Sequence, residues 1–200
     1  VNAAIDVAII DSGGANLASL QYALERLGAR SLVSSDAAVI AAAPRVLLPG
    51  VGAAADAMRR LRATGLDRLI PMLRVPLLGI CLGMQLLFEH SAEGDTACLG
   101  VLGGRVERLT GVPGMPVPHM GWNTLELINE DALLAGIGAA DYLYFVHSYA
   151  AATAASTLAA VRYGRPLAAV VRHDNFRGVQ FHPERSSAVG ARILRNFMSL

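Results

Sequence analysis

The sequence predicts an α/β domain in three layers: a mostly parallel central sheet, helices flanking it, and additional mixed or antiparallel strands. Three observations lead there. The N-terminal half repeats strand, loop and helix three times, the pattern of parallel strands joined by crossover helices. The C-terminal half changes texture to a series of short strand-like runs, which extend the sheet or cover one side of it. At 200 residues and 54% hydrophobic content, the chain suits one domain, residues 1–200, with a substantial core.

Residues 5–10 form the first strand. The polar, Gly-rich residues 11–16 follow, and apolar periodicity then predicts a helix over 17–27 that Gly28 closes. Residues 30–34 read as a short second strand. Residues 46–48 are a buried strand running into Pro49-Gly50-Val51-Gly52, with a helix predicted over 53–61 whose Arg59, Arg60 and Arg62 lie on the solvent face. Residues 77–80 give the next strand and 82–90 its helix. Further strands are expected around 104–109, 124–128, 142–146, 156–161, 167–171 and 178–181, before a final helix near 188–198. Three prolines between Gly111 and Pro118 predict a stiffened, exposed loop. Loops at the carboxyl ends of the strands converge in folds of this type. The segments after Leu48 and Ile80, and the one holding His182, are therefore expected at one edge.

A formal charge of +1 offers no general electrostatic case for binding nucleic acid or a membrane surface. No apolar run reaches membrane-spanning length and no charged leader precedes an apolar signal core, so a soluble cytoplasmic protein is expected. Two cysteines, Cys81 and Cys98, make no disulfide framework. Five scattered histidines lack metal-ligand spacing, so no metal is expected.

Chemistry concentrates in Gly79-Ile80-Cys81-Leu82-Gly83, where an apolar strand delivers a cysteine onto a turn with glycine two places before and after it. Such a turn lifts the side chain above the sheet edge, where a helix's unpaired N–H groups favour the thiolate. A buried, inert cysteine at a strand end is the competing reading. In Phe181-His182-Pro183-Glu184, residues two apart project to the same side of an extended segment, so Glu184 can orient His182 as a base. His119 and His147 are rival bases that the residues alone do not rank. Pro49-Gly50-Val51-Gly52 is either a tight turn or a set of backbone donors for an oxyanion. Ser148 and Tyr149, after an apolar strand, could present donors to a substrate.

Together these segments resemble the class I, triad-type glutamine amidotransferases. The resemblance spans nearly the whole chain, through Leu48-Pro49-Gly50-Val51-Gly52, Gly79-Ile80-Cys81-Leu82-Gly83-Met84-Gln85, Pro118-His119-Met120-Gly121-Trp122-Asn123, Tyr144-Phe145-Val146-His147-Ser148-Tyr149 and Gln180-Phe181-His182-Pro183-Glu184. It implies Cys81 as nucleophile, His182 as base and acid, and Glu184 as its orienting partner. It also implies Val51 and Leu82 as oxyanion N–H donors, Gly50, Gly52, Gln85, Ser148 and Tyr149 as contacts to L-glutamine, and no metal or organic cofactor. The second and third segments from the end are closest to members serving histidine biosynthesis, which implies ammonia delivery to a separate (β/α)₈-barrel cyclase in a heterodimer. Asn16, His119, Met120, Trp122 and Asn123 are candidates for that partner face, although Trp122 could equally pack a local loop. Where relatives often have an aromatic after Pro-Gly-Val-Gly, this chain has Ala53. A glutaminase feeding another synthase, a related elbow-cysteine hydrolase and a catalytically silent subunit are the alternatives.

Overall fold

The computed structural model describes residues 5–12 and 17–200. Its N-terminal half comprises β1 (Val7–Ile10), α1 (Leu17–Arg26), β2 (Ser31–Ser34), α2 (Ala37–Ala42), β3 (Val46–Gly50), α3 (Ala54–Ala63), α4 (Leu66–Leu69) and β4 (Leu77–Cys81), with α5 (Leu82–Leu86) continuing directly from β4. There follow β5 (Phe88–Ser91), β6 (Thr96–Ala97), β7 (Leu102–Arg108), β8 (His119–Asn123), β9 (Glu126–Leu127), β10 (Leu143–His147) and β11 (Tyr149–Ala151). Strands β12 (Thr157–Tyr163), β13 (Arg165–His173) and β14 (Phe176–Val179) and helix α6 (Ser187–Met198) complete the chain.

The central sheet has the order β2-β1-β3-β4-β14-β13-β12-β9. Neighbours from β2 to β14 are parallel, and those from β14 to β9 antiparallel, so the sheet is mixed. The repeating half supplies most of the parallel part, because a parallel connection needs a crossover long enough to hold a helix. Strand β14 then returns beside β4, with Val179 opposite Ile80. On the other side of β4, Gly50 of β3 is opposite Cys81. This register brings the ends of β3 and β4 and the His182 segment after β14 to one edge.

Both faces of the sheet are covered. Val7, Ile9, Leu47, Leu78 and Ile80 pack with Leu20 and Leu24 of α1 and Ile193, Leu194 and Phe197 of α6. Ala8, Ile10, Val46, Leu48 and Leu77 pack on the opposite face with Ile40, Met58, Leu61 and Leu66 from α2, α3 and α4. Alternate residues of one strand thus enter two different cores, which is why these strands read as continuous apolar runs. A four-stranded sheet, β11-β7-β5-β6, and a two-stranded one, β10-β8, complete the structure. No helix among the described residues is long and apolar enough to cross a membrane.

Several expectations need correction. The helix predicted over 82–90 stops at Leu86, and Phe88 opens β5 by pairing with Leu102 of β7. All five residues of α5 are buried, so this helix has no solvent face from which amphipathic periodicity could extend. The strand expected at 124–128 shrinks to Glu126–Leu127. Residues 119–123, to which the sequence assigns no strand, pair with β10 throughout. Helix α2 went unpredicted although Asp36 caps it, accepting from the Ala38 N–H at 2.7 Å.

Candidate active site

Cys81 ends β4 with φ +54°, a conformation that costs a residue bearing a Cβ about 1 kcal/mol or more. The turn holds because its neighbours lack side chains. A Cβ on Gly83 would lie 1.7 Å from the Leu48 carbonyl oxygen, and one on Gly79 would lie 2.7 Å from the Gly83 oxygen. These two glycines let α5 press against β3 and β4, forcing the chain over sharply at Cys81. The Sγ, nearly buried, has the Val146 carbonyl oxygen at 3.9 Å and the Gln180 Nε2 at 3.7 Å.

His182 and Glu184 leave β14 on a short 3-10 turn, Pro183–Arg185. His182 Nδ1 lies 2.8 Å from Glu184 Oε1, with both side chains more than nine-tenths buried. The turn is anchored by Ser186, whose hydroxyl donates to the His182 carbonyl at 2.6 Å and accepts the Tyr144 N–H at 2.9 Å. Burial by itself lowers the imidazole's pKa, but hydrogen bonding and charge from Cys81 and Glu184 outweigh it and hold His182 up at about 10. The Glu184 bond is the one formed here, since the buried His182 Nε2 has no hydrogen-bond partner. The carboxylate is therefore a stronger cause than the thiol.

Cys81 and His182 share a cavity of about 320 Å³ with Val51, Gly52, Leu82, Gln85, Glu93, Ser148 and Tyr149 on its wall. Gly50, expected at this site, instead lines a neighbouring cavity of about 100 Å³ and abuts Leu82 and Gly83. Glu93 was not legible as a site residue, because it sits in a turn with no motif around it. One carboxylate oxygen, Oε2, accepts the Ala54 N–H at 2.8 Å and caps α3, whose own N-cap, Ala53, has no side-chain acceptor. Helix α5 begins at Leu82, and the first N–H groups of any helix have no partner within it. The cavity thus combines a strained cysteine, an imidazole held from behind by Glu184, the start of a helix and the Glu93 carboxylate. Among the described residues, no three His, Cys, Asp or Glu side chains converge as metal ligands.

The rival histidines sit opposite one another on β8 and β10. His119 is buried, stacked between Phe145 and Tyr163 with ring centroids at 5.0 and 4.1 Å. Its Nδ1 is 3.0 Å from His147 Nε2, and His147 Nδ1 is 2.9 Å from the Tyr149 carbonyl oxygen. Burial pushes both down to about 4. Gln85 Nε2 donates to the same Tyr149 carbonyl and to Gln180 Oε1, each at 2.9 Å, so both its hydrogens are engaged within the protein. Nothing in the sequence marks Gln180, a single polar residue between the apolar Val179 and Phe181.

The partner-facing candidates divide by the alternation of β8. Met120 and Trp122 are 62% and 53% exposed. Trp122 packs edge-on against Tyr144 at 5.8 Å, and the Arg185 guanidinium lies 5.6 Å above that ring. His119 points the other way, so its place on that face is corrected by burial. Asn123 is half-buried and donates to the Arg162 carbonyl at 3.1 Å. Asn16 lies outside the described residues.

Comparison with known proteins gives consistent results. The family profile described as glutamine amidotransferase class-I matches residues 8–200. The chain is 57% identical to imidazole glycerol phosphate synthase subunit HisH of Xanthomonas euvesicatoria pv. vesicatoria (strain 85-10), over 195 residues covering 98% of each chain. It is 56% identical, over the same length and coverage, to the subunit so named in Xanthomonas axonopodis pv. citri (strain 306). A solved glutamine amidotransferase structure shares the fold, with a TM-score of 0.74 and 22% identity over 96% of this chain and 97% of its own.

Proposed function

The chain belongs to the class I glutamine amidotransferase family, and from that premise we propose that it is a glutaminase subunit that hydrolyses L-glutamine and supplies the ammonia to histidine biosynthesis. The observation that carries the chemistry is Cys81 at φ +54° on the wall of one cavity with His182, whose Nδ1 is bonded to Glu184 behind it. Residues 1–200 act as one amidotransferase domain in this reading.

Glutamine enters with its side-chain amide toward Cys81. In this reading the Glu93 carboxylate and Gln85 Oε1 accept from the substrate's α-ammonium, and donors of Ser148 and Tyr149 hold its α-carboxylate. His182, whose hold on a proton is raised, carries the proton of Cys81 on Nε2, and Sγ attacks the amide carbon as the thiolate of that ion pair. Backbone N–H groups of Val51 and Leu82 hold the resulting oxyanion, where losing one such donor typically costs about 10²–10³ in rate. The C–N bond breaks as His182 gives its proton to departing ammonia. His182 then takes a proton from water, which cleaves the glutamyl thioester and releases glutamate with the thiol restored. Glu184, bonded to Nδ1, fixes the tautomer and supports the imidazolium in both steps.

The ammonia passes to a separate (β/α)₈-barrel cyclase bound as a heterodimer in the cytoplasm, which forms imidazole glycerol phosphate and AICAR. Exposed Met120 and Trp122 form part of the docking face in this reading. Glutamine hydrolysis measured with and without the organism's cyclase and its nucleotide ligand tests the proposal. Cyclase-dependent glutamate release is expected. Full activity of the isolated chain, or none in the complex, overturns it.

A further inference from the structure

Gln180 is wholly buried, and its side-chain nitrogen points at the sulfur of Cys81. We propose that Gln180 is a further catalytic residue: a neutral hydrogen-bond donor that stabilises the Cys81 sulfur whenever it carries charge. The proposal rests on the reading of Cys81 as nucleophile.

The direction of that hydrogen bond is decided elsewhere in the fold. The Tyr149 carbonyl oxygen only accepts, so Gln85 must present Nε2 to it. The same Nε2 then donates to Gln180, which must answer with Oε1. Turning the Gln180 amide over would set two N–H donors against each other in a buried place and leave the sulfur facing an oxygen. Gln180 therefore keeps Nε2 on Cys81 Sγ. His147 Nδ1 donates to the same Tyr149 carbonyl, which pins the start of the chain a second time.

Two different partners flank the sulfur. The Val146 carbonyl oxygen, at 3.9 Å, suits an S–H donor, whereas Gln180 Nε2, at 3.7 Å, suits an anionic acceptor. A neutral thiol is accommodated by the first and a thiolate by the second. The bond matters twice in the reaction. It supports the thiolate as the proton leaves for His182 and Sγ attacks, and again when the C–S bond of the thioester breaks and the electron pair returns to sulfur. Bonds to charged groups are roughly twice as strong as neutral ones, so the effect falls on rate rather than on substrate binding.

The test uses Gln180→Met, which keeps the side-chain length and removes the donor, and Gln180→Glu, which places a carboxylate against the sulfur. Each is assayed with the cyclase present, and the pH dependence of Cys81 alkylation by iodoacetamide is followed by mass mapping. Gln180→Met should move the alkylation midpoint up by about one pH unit and lower kcat about tenfold, with KM for glutamine unchanged within a factor of about two. Gln180→Glu should shift the midpoint further in the same direction. An unchanged midpoint with unchanged kcat in either folded variant overturns the proposal. So does a loss expressed in KM alone. Should both variants fail to fold, the side-chain carboxamide resonance of Gln180 in the wild-type protein is followed with pH. It should titrate together with Cys81 and cease to do so in Cys81→Ala, and a resonance indifferent to Cys81 overturns the proposal. Hydrolysis surviving in Cys81→Ala would instead defeat the nucleophile assignment, an outcome separate from any alkylation shift.

Discussion

His119 Nδ1 lies 3.0 Å from His147 Nε2, and the proton between them has one place to be. His147 Nδ1 faces a carbonyl, the Tyr149 oxygen, so it must carry a hydrogen, and in a neutral ring Nε2 must then accept. His119 therefore donates from Nδ1 and accepts at Nε2, where the Asn123 side-chain nitrogen lies at 3.4 Å. Both rings are committed to this chain, whereas His182 Nε2 has no such engagement.

Removing His182 should accordingly cost far more activity than removing either rival. His182→Ala should lower kcat by about 10³-fold or more, in the range of a lost general acid–base or triad member. Glu184→Ala should retain more activity, because the base remains and only its orientation suffers. His147→Ala should lose about tenfold, through looser support of the Tyr149 carbonyl, well short of a lost acid–base group. Steady-state rates of the cyclase complex check this order, and near-normal hydrolysis in His182→Ala would refute the mechanism.

Stability should fall on both sides of pH 6.5, for opposite reasons. Burial holds His119 and His147 down at about 4, below their unfolded value of 6.5. The unfolded chain binds more protons between those values, so their contribution is full above pH 6.5 and lost as pH falls through 4. His182 is held up at about 10, so its contribution is full below pH 6.5 and lost as pH rises toward 10. Urea midpoints across this range should show both limbs. His119→Phe should flatten the acid limb and His182→Asn the alkaline one.

The two thiols should label differently. Cys98 is half-buried and desolvation pushes it up to about 11, leaving it almost entirely protonated at neutral pH. A glutamine-analogue electrophile should modify Cys81 and spare Cys98, and Cys98→Ala should preserve hydrolysis while Cys81→Ala abolishes it. Mass mapping of the adduct to Cys98 would sink the assignment of Cys81.

Trp122 should matter to assembly and little to the isolated fold. Half of it is exposed, and its edge contact with Tyr144 leaves a large apolar surface on β8 beside Met120. Trp122→Ala should weaken cyclase binding about tenfold or more, as truncating an interface anchor commonly does. Thermal unfolding first establishes that the variant is folded. Unchanged affinity and unchanged stimulation of glutamine turnover would reject Trp122 as an anchor.

Much of this protein was legible from one dimension because its signals are local. Apolar runs at 46–48 and 77–80, the glycines around Cys81 and the Pro between His182 and Glu184 act within a few residues. They predicted the parallel strands, the elbow and the imidazole–carboxylate pair. The limit of α5 was not local: β5 begins at Phe88 because β7 is there to pair with it, 14 residues further on. The ranking of three histidines was not local either. His119 and His147 are neutralised by burial and by each other across β8 and β10, which only strand pairing could arrange. Glu93 reaches the cavity by capping a helix 39 residues earlier in the chain, and Gln180 reaches Cys81 across 99. Residue type and spacing determined which chemistry was available. Register and burial decided which groups meet, because hydrogen bonding and desolvation depend on neighbours in space rather than in sequence.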